Sequence, residues 1–114
     1  MLLKKGEKVH VIARRTFEGD LRRHFVGQVQ AATDTIAKIE GYVFVFDTSS
    51  NEYIRKPSLR VRIIALVDSN NIVNIIPQSV NIEELSYQTS VDNRTVVTDG
   101  KSFSLDINEF SSMR

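Results

Sequence analysis

The chain has 114 residues, of which 41% are hydrophobic and 25% charged, with a formal net charge of +1; this is the profile of one soluble globular domain able to bury a core without staples. It has no cysteine and only two histidines, which excludes disulfides, thiolate nucleophiles and sulfur-ligated zinc, and leaves a metal site or an imidazole acid–base pair little to draw on. No apolar run approaches the roughly 20 residues that span a bilayer, and Met-Leu-Leu-Lys-Lys-Gly at the start lacks an apolar export region, so a cytoplasmic protein without membrane contact is expected.

Residues 8–13 begin as an alternating strand, with Val9 and Val11 on one face and Lys8 and His10 on the other. Thr16 to Asp20, with Gly19 inside it, reads as a turn or loop. From Arg23 to Ala31 the alternation returns: Phe25, Gly27, Val29 and Ala31 share one face, and His24, Val26, Gln28 and Gln30 the other. Residues 41–46 (Gly-Tyr-Val-Phe-Val-Phe) are apolar on both faces, so that strand needs cover twice. Residues 47–52 form a turn cluster of Asx and hydroxyl side chains.

Residues 59–67 alternate at first, with the arginines outward, and are then apolar throughout; Pro57 suits the entry to that strand. A tight turn over 68–71 leads into Ile72-Val73-Asn74-Ile75-Ile76, which stops at Pro77. Five strands in about 70 residues, joined by short turns, predict a small closed β-barrel over residues 1–78. Beyond it, Asn81 with Glu84 reads as a capping box opening a short helical turn. Residues 94–98 and 101–107 flank Asp99-Gly100 and predict a hairpin with a type I′ turn. The expected class is therefore mainly β, with residues 79–114 an extension packed on the barrel or on a neighbouring subunit.

Charge is segregated along the chain. Residues 1–62 hold 12 Lys and Arg against 7 Asp and Glu, whereas residues 63–114 hold 3 against 7. Such a split marks a polyanion-binding face on the first half, or two halves that pack or oligomerise against each other, or solvated charges that average out in three dimensions. Arg14, Arg15, Arg22, Arg23, Arg55, Arg60 and Arg62 fall at strand ends or on outward parity, where guanidinium groups would grip phosphates. Phe25, Tyr42 and Tyr53 lie near them and could stack bases. The competing reading makes Phe25 and Tyr42 core residues and pairs the arginines with Glu7, Glu18, Asp20 and Glu52. No catalytic motif is present, and Asp20 with His24 four residues on reads as a solvated ion pair. No enzyme activity, cofactor, metal or small-molecule substrate is expected.

Phe25-Val26-Gly27-Gln28-Val29, followed by Thr33-Asp34, and the closing Ile72-Val73-Asn74-Ile75-Ile76-Pro77 resemble the Sm-like barrels, which include the bacterial host-factor RNA chaperone. The resemblance covers residues 7–77. It implies an Sm-like or SH3-like barrel in which Gly27 lets the second strand bend. It also implies a cyclic oligomer made by edge pairing of the fourth and fifth strands, with RNA held at the loops around Thr33-Asp34 and Asn70-Asn71.

Self-association has a separate motive. Residues 42–46 and 63–67 carry more apolar surface than one small barrel covers, which places Val43, Val45, Ile64, Leu66, Ile72 and Ile76 at an interface between copies. The alternatives are that the C-terminal hairpin covers this surface within one chain, or that the protein is a structural assembly module whose arginines meet Asp92, Asp99, Asp106 and Glu109.

Overall fold

Alternating valines and isoleucines build the first sheet. In the computed structural model, which describes residues 2–14, 22–89 and 94–107, the strands are β1 (Lys8–Ala13), β2 (Arg23–Ala32), β3 (Ile36–Asp47), β4 (Glu52–Arg55), β5 (Arg60–Ala65) and β6 (Asn71–Ile76). Arg15, Glu18, Asp20, Asp92 and Glu109, and the turn expected over 16–20, lie outside the described residues. The chain divides into two units, Met1–Gln78 and Ser79–Arg114.

The first unit is one antiparallel sheet in the order β4-β3-β2-β1-β6, with β5 also pairing β3. The long β3 has two partners on the same side: Ile36 to Gly41 pair β5, and Phe44 to Asp47 pair β4. Gly41 stands at this change of partner, directly opposite Gly27 of β2. A Cβ on Gly41 would collide with the Val26 carbonyl and the Gly27 Cα, and one on Gly27 with the Glu40 carbonyl. The two strands cross here at a distance that only a pair of glycines permits.

The sheet curls but does not close. Leu66 N–H donates to the Thr35 carbonyl (2.7 Å) at the end of the sheet where β2 finishes, and Arg14 N–H donates to the Asn70 carbonyl (3.0 Å) where β2 begins. β2 spans about 30 Å at 3.3 Å per residue, yet the four-residue step from Leu66 to Asn70 reaches at most about 14 Å. Only a strongly bent sheet brings those ends so close. Ile64 and Leu66 from one edge and Val73 from the other accordingly pack on a single core of Val9, Val11, Phe25, Val29, Ala37, Ile39 and Val43. β5 and β6 do not pair with each other, so the five-strand closed barrel is replaced by an open six-strand sheet. At the join, Ser69 Oγ and Asn71 Nδ2 donate to the Ala65 carbonyl (3.2 and 3.1 Å), taking the place of a ladder bond.

The middle of the sheet is buried on both faces. Opposite the valine core lie His10, Ile12, His24, Val26, Phe44 and Ile76, all buried. Val43 and Phe44, 5% and 3% exposed, point to opposite faces and are both covered within the chain. Val43 and Ile76, expected at an interface between copies, are core residues instead; Val45, Ile64 and Leu66 are half-buried against the same core, and Ile72 is half-buried on β6. For Val43, Val45, Ile64 and Leu66 the reason is curvature: a bent sheet shields the residues of its inner face, which a flat one would leave to a partner.

The parity of β5 is the reverse of that expected. Register places Arg62 opposite Ile39 and Ile64 opposite Ala37, so Arg60, Arg62 and Ile64 share the core side, and the Arg62 guanidinium lies 6.0 Å from the Phe25 ring centre. Val61 and Ile63 face outward, 53% and 67% exposed. An arginine can occupy a core-side position at an edge because its aliphatic stem lies along apolar surface while the charged head reaches water.

The second unit is a three-stranded antiparallel sheet, β7 (Ser86–Thr89), β8 (Thr95–Thr98) and β9 (Ser104–Asp106), in that order. The expected helical turn is a single 3-10 turn, Ile82–Glu84; Asn81 accepts from Glu83 N–H rather than from Glu84, and Leu85 is already extended. Tyr87 belongs to β7, opposite Val97. The hairpin between β8 and β9 closes through residues 99–103, not through a two-residue type I′ turn. Gly100 alone takes positive φ there (76°), because the Asp99 carboxylate accepts from Lys101 N–H (2.8 Å) and Phe103 N–H (3.1 Å) and opens a wider loop. These bonds hold the Asp99 carboxyl below its usual pKa.

Candidate functional site

Four basic residues of the first unit lie along the β3 side that β4 and β5 occupy. Residues 55–62 contain Arg55, Lys56, Arg60 and Arg62 and no carboxylate. Arg55 stacks on the Tyr42 ring at 4.3 Å and Arg22 on the Phe46 ring at 4.8 Å. With Arg62 over Phe25, three guanidinium groups rest on aromatic faces, a cation–π arrangement that orients each head before any ligand arrives. Phe25 is buried and Tyr42 half-buried, and each seats an arginine. Tyr53 packs against the His24 ring (4.9 Å) and the Phe46 ring (5.1 Å).

Of the acidic partners expected for the arginines, Glu18 and Asp20 lie outside the described residues, and Glu7 is engaged locally. Glu7 accepts from its neighbour Lys4 N–H (2.7 Å). Asp47 accepts from Ser49 N–H and from the Ser49 and Ser50 hydroxyls, which hold its carboxyl below the usual range and fix the turn into β4. Among the described residues, Arg14, Arg23, Arg60 and Arg62 form no salt bridge, and the pairs Arg94–Asp106 and Lys101–Glu84 belong to the second unit.

The two loops nominated by sequence lie along the same crossing segment. Thr33 Oγ1 accepts from Thr35 N–H and Ile36 N–H (both 3.2 Å), which shapes the turn containing Asp34. The chain then passes from Leu66, bonded to Thr35, to Asn70, bonded to Arg14. Thr33-Asp34 and Asn70-Asn71 thus sit at opposite ends of one five-residue span, with Arg14 beside the second. Arg23, opposite Val45 and Ala13, lies at that same end of the sheet.

A buried polar chain escapes sequence reasoning. His10 Nε2 and His24 Nδ1 are 3.1 Å apart, and Asn74 Nδ2 is 3.2 Å from His10 Nδ1. With the Asn74 amide donating, His10 accepts at Nδ1 and donates from Nε2, so His24 accepts at Nδ1; both rings are neutral. Burial lowers the His10 pKa to about 4, and burial with the adjacent His10 lowers that of His24 to about 3. The signal lay in parity: His10 and His24 fall on the same side of β1 and β2 once Ile12 is paired with His24. A pair held neutral and enclosed is structural, and among the described residues no group of three His, Cys, Asp or Glu could hold a metal ion. No helix of the described residues is long and apolar enough to cross a membrane.

In comparisons with known proteins, the chain matches no family model, no curated protein and no solved structure.

Proposed function

We propose that the first unit is a non-enzymatic binding module for a polyanion, RNA being the ligand that fits its spaced guanidinium groups. The observation that carries this reading is the run Arg55, Lys56, Arg60 and Arg62, uninterrupted by a carboxylate, with Arg55 seated on Tyr42 and Arg22, outside the run, on Phe46. Binding of this kind is sequence-blind and weakens with salt, because it is driven by release of counterions from phosphate. The Sm-like resemblance agrees with it through the bent antiparallel sheet, Gly27 at the crossing and β6 running into Pro77. The test is fluorescence anisotropy of a labelled single-stranded RNA at low salt, with the wild type and an Arg55→Ala/Arg60→Ala/Arg62→Ala variant. Micromolar binding that the triple variant loses supports the proposal. No binding at about 50 mM salt, where phosphate contacts are strongest, overturns it.

A second reading, a protein-interaction module without a nucleic-acid ligand, is favoured by one feature: the exposed apolar side chains Leu59, Val61, Ile63 and Val67 lie on and around the same edge strand.

A further inference from the structure

The free edge of β5 presents backbone, apolar side chains and cations in strict alternation. Leu66 N–H bonds the Thr35 carbonyl, and counting back from it by the antiparallel rule, residues 60, 62 and 64 turn their backbone groups toward β3. The N–H and C=O of Val61 and Ile63 therefore point away from the sheet, where no strand of the described residues pairs them. Two residues further, the Ala65 carbonyl is capped by Ser69 and Asn71, which marks where the open edge ends. Side chains alternate with the same period: Val61 and Ile63 on one face, Arg60 and Arg62 on the other.

We infer that this edge takes an extended peptide of alternating apolar and acidic residues as an added strand. Backbone pairing at Val61 and Ile63 supplies register. Same-face neighbours then match by type, apolar residues beside Val61 and Ile63 and carboxylates beside Arg60 and Arg62. A second copy does not supply this chemistry. Of the sheet's other edges, β6 is Asn-Ile-Val-Asn-Ile-Ile with no carboxylate, β4 sets its one carboxylate, Glu52, on the same face as Ile54 and puts Arg55 on the other, out of step with β5, and β5 against β5 brings arginines together, a known guard against self-pairing. Of the second unit's edges, β7 has no carboxylate and the Asp106 of β9 is already held by Arg94. The inference is independent of the polyanion reading, and because both use Arg60 and Arg62, RNA and peptide would compete where both hold.

The test uses a short fluorescein-labelled peptide of alternating valine and glutamate against the full chain. Binding should fall about tenfold or more when lysine replaces glutamate in the peptide, and should be lost when the peptide backbone is N-methylated at alternate residues. Ile63→Pro removes one outward N–H without touching the β3 ladder, a substitution that edge strands tolerate, and should abolish binding while leaving the thermal midpoint within a few degrees. Arg60→Glu/Arg62→Glu should invert the preference toward the valine–lysine peptide. Equal affinity for both peptides, insensitivity to N-methylation, or a light-scattering mass of a dimer that Ile63→Pro converts to monomer would overturn the inference. Loss of RNA binding with peptide binding intact would overturn the polyanion reading alone.

Discussion

His10 Nε2 and His24 Nδ1 meet at 3.1 Å inside the first unit, on the face of the sheet opposite its valine core. The chain of bonds works only while both rings are neutral: a protonated His24 would turn a donor toward the His10 donor, and a protonated His10 would turn one toward the Asn74 amide. The pair is thus an acid-sensitive element of the fold.

Stability should fall on acidification in a defined window. The folded pKa values, about 4 for His10 and about 3 for His24, lie below the unfolded value near 6.5, so between these limits the unfolded chain binds more protons. The contribution is complete above pH 6.5 and is lost as pH drops toward 4, on the order of 3 kcal/mol for one such histidine. Urea unfolding at pH 7, 5.5 and 4.5 should show a falling midpoint with little change between pH 7 and 8. A midpoint flat from 7 to 4.5 would contradict the neutral pair.

Asn74→Leu should destabilise the unit by about 1–3 kcal/mol, the cost of leaving a buried acceptor at His10 Nδ1 unpaired. Asn74→Asp should do something different: a carboxylate beside His10 favours the imidazolium, so the acid-induced loss should shrink relative to wild type. The same urea series reads both.

Gly41→Ala should prevent folding or cost about 3 kcal/mol or more, because the added carbon falls on the Val26 carbonyl and neither backbone can move without parting β2 from β3. Gly100→Ala, with nothing within 4 Å of the new carbon but a φ of +76°, should cost only about 1 kcal/mol. The contrast separates crowding from backbone strain and is read by thermal melts of the two variants.

Much of the fold was legible because alternation reports which strands are half-buried. β1, β2, β6 and the β8–β9 hairpin follow directly from the spacing of valine, isoleucine and phenylalanine. β4 was not, since four residues opening with Glu52 at the end of an Asx-rich turn show no period, and it pairs only because β3 runs on past Phe44. The parity of β5 misled for a chemical reason: Arg62 looked like a surface marker, yet its stem follows the core and its head covers Phe25, leaving Val61 and Ile63 outside. The histidine chain was invisible because no pattern in one strand reveals that its polar face will also be covered. The arginines of the candidate surface were all nameable from sequence, as were Phe25 and Tyr42 beside them; that these rings seat arginines, and that Phe46 does too, was not, because an apolar strand does not say which aromatics lie at its cationic edge.

Those seats make a prediction that charge alone does not. Replacing Arg22, Arg55 and Arg62 together by lysine keeps every positive charge but loses the flat stacking of the guanidinium, so RNA affinity should drop by about tenfold with the salt dependence retained. Unchanged affinity would mean that the rings play no part in orienting the cations.

The measurement that bears most directly on the proposed role is the slope of log K against log salt concentration for single-stranded RNA. Four cations from residues 55–62 meeting phosphates predict a slope of about −3, at roughly 0.7 per contact, shrinking to about −0.7 in the Arg55→Ala/Arg60→Ala/Arg62→Ala variant, which keeps Lys56. A slope near zero in the wild type, or one that the triple substitution leaves unchanged, would contradict the account.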